Sequence, residues 1–589
     1  MSDSRPNKRR RTTLWIAATA LVATVAAVGY AYKATFARPG EEALQYVPAG
    51  AYVFGSLDLS PSLSQTMLYK RINDDIDQNG LGDKLNSIFA AALDHGPIDA
   101  DLSADFKRSA AFAVFPSPGS SDQNSEDVVF IGLKDPTSAQ QLLAKKAYPR
   151  FYKGMRYYLM AHGKQCMLVL GDQLALSGDS ASLFACYQVS QGRGARAIDS
   201  GDYADARASL DPDCNAMLFV DAEQLAKTSG GQPGANPADG AKWAAIGLAL
   251  RDQGIAISMN AAVDPQRMTT FAKLADIKPI RSDLYSVLPA GPYAVLTVSQ
   301  PGEVTKFGCD TAAKQPDGQK GVQDMSDQIQ KSSGIDLDSE LIPAFDGDTI
   351  LAAYPDPAGD KVSGIDFLAV VDDSNGADPA ALVDRGRRAI EEAARNDSDH
   401  KGDLFQYDKA NDEYRLTDSN QSDMQKSVRE SVGDNDVDSA SLTGDKGIFF
   451  AKRGKAVLVA SSQKMLDRAI AAYQNNQNSM AAQAAGYPDC GKSQFLGLFS
   501  VSQIANGIEN TWNTSGKDQD AGEVMNPILD LCKGLTQPLT IEERTASDSG
   551  HLGLFIPMDY EKLTALIAKE LKDQDARSQS AGTHPQRTK

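Results

Sequence analysis

The chain has 589 residues, 42% of them hydrophobic, and a formal net charge of −18. That length and apolar content suffice for roughly two to four ordinary domains with real cores and exclude a chain disordered throughout. The acidity argues against nucleic acid or anionic lipid surfaces as partners, so no nucleic-acid role is expected.

Arg5, Lys8, Arg9, Arg10 and Arg11 precede an unbroken uncharged run from Leu14 to Tyr32, closed by Lys33. At about 1.5 Å per helical residue the run spans about 28 Å, close to the roughly 30 Å hydrocarbon thickness of a bilayer. The basic cluster in front of it predicts a single-pass signal-anchor helix over 14–32, with 1–13 as a cytoplasmic head and everything after Lys33 outside the cytoplasm. Trp15 at one end, with Tyr30 and Tyr32 at the other, fits the two interfaces. Gly29-Tyr30-Ala31 loosely resembles a small-residue cleavage site, but the apolar segment is long for a cleaved signal, and an uncleaved anchor is the favoured reading. The lipid bilayer is therefore an expected partner through Leu14 to Tyr32, with 33–44 as a short linker.

Val47-Pro-Ala-Gly-Ala-Tyr52 then reads as a turn feeding the strand VFGSLDL. Leu63, Met67, Leu68, Ile72 and Ile76 follow at helical spacing, and a second helix carries Leu85, Ile88, Phe89, Ala92 and Leu93. Between them Asp75, Asp77, Asn79 and Asp83 fall at positions one, three, five and nine of a calcium loop, with Gly80 at six for the sharp turn. The twelfth position is Asn86 in place of the bidentate glutamate and the eighth is Gly82, so the expected calcium site is weak. A plain polar turn between helices is the competing reading. Farther along, AFAVFPSP and VVFIGLKD flank a polar loop too short for a crossover helix, so these strands should pair antiparallel beyond Pro116 and Pro118. LALSGDSASLFACYQ reads as a strand running into a helix, and Pro212-Asp213-Cys214 introduces AMLFVDAEQLAK.

The same series recurs later in the same order. Leu288-Pro-Ala-Gly-Pro-Tyr293 answers the first turn, and Ile335-Asp-Leu-Asp338 answers Ile98-Asp-Ala-Asp101. ILAAYPDP, with Pro355 and Pro357, and DFLAVVDD answer the hairpin; VLVASSQKMLDRAIAAYQ, Pro488-Asp489-Cys490 and FLGLFSVSQIAN complete the set. Ordered recurrence predicts a tandem duplication, copy one over 45–280 and copy two over 281–572. Copy two carries a polar insertion at about 396–446, expected to be a long solvated excursion, and 573–589 reads as a disordered tail. Hairpin-linked strands interspersed with amphipathic helices make the fold class α+β, each copy a mainly antiparallel sheet covered by helices.

The N-terminal run, the segment ALQYVPAGAYVFGSLDLSPS close behind it, the repeated LPAGPYAVLTV, and VLVASSQKMLDRAI together resemble a bacterial, N-terminally membrane-anchored exported family known only as a domain of unknown function, of the 3352 type. The likeness covers nearly everything between Ala43 and about Lys572. It implies a membrane-tethered exported protein and supplies no activity.

No catalytic or cofactor-binding residue emerges, and calcium is the one cofactor the sequence suggests. His95, His162, His400, His551 and His584 share neither helix-face nor zinc-ligand spacing and read as turn or surface histidines. Ser461 and Lys464 form a Ser-x-x-Lys where a strand meets a helix, yet the matching junction LSGDSASLF has no lysine, so helix capping explains both. Asp99 with Asp101, and Asp336 with Asp338, recur in both copies and read as shared turns or caps. Cys166, Cys186, Cys214, Cys309, Cys490 and Cys532 divide three to a copy, so either a bridge links the copies or thiols remain free. The pattern fits a non-catalytic binding module engaging an envelope protein or polymer; an exported hydrolase whose site only folding assembles is the alternative.

Overall fold

The computed structural model describes residues 39–58, 65–79, 106–116, 125–160, 165–228, 240–268, 273–314, 318–355, 365–373, 381, 385, 405–408, 413–416, 446–475, 478–483, 492–515, 526 and 529–581. They fall into two units: residues up to Asp264 together with those from Met558 onward, and Pro265–Pro557. Both are α+β, with antiparallel strand pairing throughout the described sheets. Among the described residues no helix is long and apolar enough to cross a membrane; the run Leu14 to Tyr32 lies outside them.

In unit 1 the first strand takes the middle of the sheet. β1 (Val53–Asp58) pairs on one side with β2 (Phe106–Pro116) and on the other with β8 (Ala216–Asp221). Outward from β2 come β3 (Ser125–Leu133), β7 (Gln173–Ser177), β6 (Cys166–Leu170), β5 (Met155–Met160) and the terminal strand β4 (Ala147–Tyr152). Outward from β8 come β9 (Ala241–Arg251) and β10 (Gly254–Val263). Period-two alternation sends Phe54, Ala111, Ala113, Val128, Phe130 and Phe219 to one face. There α1 (Pro39–Leu44) contributes Ala43 and Leu44 to the same core. On a separate apolar cluster, α2 (Thr66–Gln78) sets Leu68, Tyr69, Ile72 and Ile76 against Leu250 and Ile255. The opposite sheet face is covered by α3 (Pro136–Lys146), whose Ala139 and Leu143 meet Phe106, Leu133, Met167 and Leu174. α4 (Ser180–Ser190) and α5 (Gly201–Ser209) complete the first face with Leu183, Cys186, Tyr203 and Ala206. Short polar side chains start these helices: Asp135 accepts from Thr137 N–H at 2.9 Å, Asp179 from Ser182 N–H at 2.9 Å, and Ser200 from Tyr203 N–H at 3.1 Å.

Unit 2 has the same strand order. β11 (Ala294–Val298) lies between β12 (Thr349–Pro355) and β18 (Phe495–Phe499). Beyond β12 follow β13 (Ile365–Asp372), β17 (Ala456–Ser462), β16 (Lys446–Arg453), β15 (Glu413–Leu416) and β14 (Phe405–Asp408). Beyond β18 follow β19 (Leu539–Thr545) and β20 (Ser549–Pro557). The helix α6 (Gln463–Gln474) buries Met465, Leu466 and Ala469 against Leu368, Val370, Leu458 and Ala460. Each Pro-Ala-Gly turn also docks alike, Pro48 bridging to Arg196 in unit 1 and Pro289 to Ser479 in unit 2. The β6–β7 and β16–β17 turns each place a glycine at positive φ, Gly171 at 56° and Gly454 at 59°, where a side chain would be strained.

Three expectations from the sequence change. Of the stretch expected as a linker, 33–44, residues 39–44 form α1, because Ala43 and Leu44 are apolar and pack into the unit 1 core. The polar insertion at 396–446 contains the paired strands β14 and β15, in which Phe405 stands opposite Leu416 and Tyr407 opposite Tyr414. Apolar residues there alternate with polar ones over only four residues per strand, too short to register as a strand pattern against the surrounding polarity. The tail expected at 573–589 is helical through Ala581, because α7 (Tyr560–Ala581) runs unbroken past residue 573. Its Tyr560 and Ala568 join the cluster that α2 forms on Leu250 and Ile255 in unit 1, and Tyr560 Oη donates to Gly254 O at 2.7 Å.

One amide per unit braces the sheet beside its central strand. At the start of β8, Asn215 N–H donates to Leu248 O at 2.7 Å, its carbonyl accepts from Asp58 N–H at 2.6 Å, and its Oδ1 accepts from Leu250 N–H at 2.9 Å. Asn215 Nδ2 donates to Tyr69 Oη at 2.6 Å and Gln65 Oε1 at 3.2 Å, tying α2 to the strands. At the start of β18, Gln494 N–H donates to Glu543 O at 2.8 Å, its carbonyl accepts from Ser299 N–H at 2.8 Å, and its Oε1 accepts from Thr545 N–H at 2.7 Å. Removing a buried amide strands its partners at about 1–3 kcal/mol per unsatisfied group. Asn215→Ala should therefore lower unfolding free energy by roughly 2–3 kcal/mol in urea titrations. A loss below about 0.5 kcal/mol, the range of ordinary surface changes, would show that the amide braces nothing.

Candidate functional site

The cleft of interest lies in unit 1 where β1 ends and β8 begins, with Glu41, Asp58, Gln65, Arg207, Asp213 and Cys214 on its walls. Arg207, on α5, donates from Nε to Glu41 Oε1 at 2.7 Å and reaches the carbonyls of Asp211 and Pro212, each at 3.4 Å. Burial opposes the charge on Arg207, but the Glu41 hydrogen bond and its negative charge prevail and raise the guanidinium pKa. Burial pushes the Cys214 thiol up to about 11, against the lowering influence of Arg207. A nucleophilic cysteine needs the thiolate near neutral pH. This one is a neutral thiol there, and its neighbouring cation is already ion-paired. Gln65 Nε2 donates to Asp213 O at 3.0 Å and Asn215 Oδ1 at 3.0 Å, so the amide in the cleft is committed to the fold. The arrangement joins α1, α2 and α5 to the sheet.

Unit 2 carries two polar clusters of its own. Buried Asp348 accepts from Arg281 N–H at 2.7 Å and Ser299 Oγ at 2.8 Å, and Arg281 also donates to buried Asp372 at 2.9 Å. Desolvation raises the Asp348 carboxyl pKa, with Asp372 acting in the same direction. On β19, Glu542 accepts from Arg544 at 2.8 Å and Ser493 Oγ at 3.2 Å, with His551 Nε2 at 3.5 Å. The acid sits between serine and histidine, whereas a hydrolytic triad needs the histidine between serine and acid.

Asp75 and Asp77 lie in the last turn of α2, Asn79 caps its C-terminus, and Asp83 is outside the described residues. Asp75 is buried and Asp77 exposed, so two residues that a calcium loop would turn toward one ion diverge on a helix. Asn79 Nδ2 is occupied in a cap, donating to Asp75 O at 2.8 Å. Among the described residues no cluster of His, Cys, Asp and Glu stands close enough to hold a metal ion. Ser461 Oγ donates to Asp366 at 3.1 Å and accepts from Phe367 N–H at 2.8 Å, while the neighbouring Ser462 caps α6 by accepting from Met465 N–H at 3.1 Å. Asp336 is likewise a cap, accepting from Ser339 N–H at 2.8 Å; Asp99 and Asp101 fall outside the described residues. Cys166, Cys186, Cys214, Cys309 and Cys532 are thiols, and Cys490 lies outside the described residues. Among the histidines, His551 alone is described. The bracing roles of Asn215 and Gln494 had no signal in the sequence beyond their place after the two Pro-Asp-Cys segments.

Residues 14–396 match the profile of a family described as "Protein of unknown function (DUF3352)". The chain belongs to that family. No curated protein matches it. Among solved structures, crystal forms I, IV and III of TP0453 are similar at 12%, 11% and 11% identity, with TM-scores of 0.22, 0.22 and 0.21. They cover 39%, 40% and 42% of this DUF3352 chain and 81%, 85% and 90% of their own. Similarity at that TM-score supports no statement about fold or function.

Two measurements bear on these groups. Burial is the first cause raising the Asp75 carboxyl pKa, with Glu561 of α7 next, so its ionised form opposes folding above the ordinary Asp range. Asp75→Asn should raise the melting temperature at pH 7 in chelator; a calcium-dependent rise in the wild type that the variant loses would make Asp75 a ligand instead. Glu542 is held down to about 2, first by the His551 hydrogen bond, against burial and with help from Arg544. A depressed carboxyl contributes stability that is fully present above its ordinary value of 4.5 and lost as pH falls from there toward about 2. Glu542→Gln should remove that acid-side slope and lower stability at pH 7 by roughly 1–3 kcal/mol. Identical stability profiles for variant and wild type between those pH values would contradict it.

Proposed function

We propose that this DUF3352 protein is a single-pass, membrane-tethered exported protein whose two α+β units arose by tandem duplication and serve as a non-catalytic binding or envelope-associated module. The observation that carries the reading is the uncharged run Leu14 to Tyr32 directly behind Arg5, Lys8, Arg9, Arg10 and Arg11. The family match, residues 14–396, includes that run. The bulk of the chain then lies outside the cytoplasm, and the short stretch 33–38 before α1, at no more than about 3.5 Å per residue, keeps unit 1 close to the bilayer.

Duplication is supported by the common strand order, the paired Pro-Ala-Gly bridges and the equivalent amides Asn215 and Gln494. A binding role is supported by how the most reactive groups of the unit 1 cleft are held, Cys214 protonated and Arg207 ion-paired. The partner class is an envelope protein or polymer. External protease added to intact cells should digest the part after Lys33 and spare a tag placed before Ser4, and alkaline carbonate should leave the protein in the membrane fraction. Full protection from external protease in cells whose outer layers have been permeabilised would overturn the topology.

A further inference from the structure

Between Asp135 and Asp172 the chain carries Lys145, Lys146, Arg150, Lys153, Arg156 and Lys164 and no Asp or Glu, within a protein of net charge −18. The fold places much of this segment in one hairpin. α3 ends on Lys145 and Lys146 and passes directly into β4, which pairs with β5. Lys153 and Gly154 form the turn, both at positive φ, 48° and 85°, the geometry that suits the twist of a tight hairpin. In the register Phe151 stands opposite Arg156, and Arg150 opposite Tyr157. The tip therefore presents Phe151 and Arg156 on one face, Arg150 on the other and Lys153 at the turn, all exposed, with Phe151 73% exposed and Tyr148, on the face of Arg150, 59% exposed. Lys153 Nζ stands 5.2 Å from the Tyr152 ring centroid. Among the described residues no carboxylate pairs with Arg150, Lys153 or Arg156.

Cations and a proline on a terminal strand also guard a sheet edge against pairing with another chain. Edge protection accounts for Pro149 and Arg150. It gives no reason for a phenylalanine held in water at the tip, where its burial is forgone. An exposed aromatic ring among lysines and arginines is the arrangement that seats a protein at a bilayer interface, ring in the interfacial layer and cations at the headgroups.

We propose that the β4–β5 hairpin docks on an anionic phospholipid surface, with Phe151 entering the interfacial layer and Arg150, Lys153 and Arg156 against lipid phosphates. The overall acidity, which speaks against such a surface for the chain as a whole, acts weakly here because exposed charges beyond about 8 Å are largely screened at physiological salt. The corresponding hairpin of unit 2 has Asp408 and Glu413 at its turn, so the property belongs to unit 1 alone. The proposal goes beyond the tether and stands without it, since nothing in the hairpin depends on residues 14–32.

The test uses the full chain carrying Phe151→Trp, with the wild-type protein as background, in vesicles of phosphatidylcholine alone or mixed with phosphatidylglycerol. In the anionic vesicles the added tryptophan should shift its emission to the blue and be quenched by brominated lipid. In zwitterionic vesicles, or at high salt, both signals should be lost. Adding R150E, K153E and R156E should abolish them at unchanged melting temperature. A solvent-like emission in both vesicle types overturns the proposal, as does a response to soluble polyglutamate without one to vesicles, which would indicate an acidic protein partner. Retention of the protein on vesicles after an alkaline wash reports the anchor separately, so failure of the tether and failure of the hairpin read out differently.

Discussion

Each sheet depends on a strand that cannot be completed by its sequence neighbours. β1 and β11 sit in the middle of their sheets, yet on one side each pairs with a strand from far along the chain, β8 or β18. Where that distant strand begins, one residue ties it to strands on either side, Asn215 by its backbone to Asp58 and by its side-chain amide to Leu250, Gln494 by its backbone to Ser299 and by its side-chain amide to Thr545. Because a slip of one residue would turn every inward side chain outward, this fixing of register decides whether Phe54 and Phe219, or Leu496 and Leu498, face the core at all.

The strands flanking Pro116 and Pro355 were legible because long apolar runs broken by short polar loops leave antiparallel pairing as the economical arrangement. The Pro-Ala-Gly turns were legible because they recur. What escaped has physical reasons. The spacing of Asp75, Asp77 and Asn79 matches a calcium loop, but Ile72 and Ile76 are both fully packed, and that packing carries the helix through Gln78. Asn215 and Gln494 escaped because an amide satisfied by backbone groups looks, in sequence, like any other polar residue. The stretch 573–581 reads as polar tail because the buried apolar residues by which this helix packs, Tyr560 and Ala568, lie before it.

Polar chemistry in the described residues is largely spent on architecture. Arg207 is held by Glu41, Arg281 by Asp372, and Glu542 by Arg544 and His551, each at a place where strands or helices must be joined. The β4–β5 tip departs from this economy: its cations have no such partners, and its ring is exposed. Net charge, an average over the whole chain, hides a local reversal of sign at the hairpin tip, where the register sets Phe151 opposite Arg156 with Arg150 and Lys153 beside them in the chain.

The return of α7 to unit 1 has a consequence for how the molecule is made. A chain that is synthesised from its N-terminus presents Leu68, Ile72 and Ile76 more than 480 residues of translation before Tyr560 and Ala568, which complete their cluster, are available. Unit 1 must wait, with that patch covered only in part by Leu250 and Ile255, while all of unit 2 emerges. A product cut short before α7 would keep apolar surface of unit 1 exposed, the mark by which chaperones and proteases recognise unpacked protein.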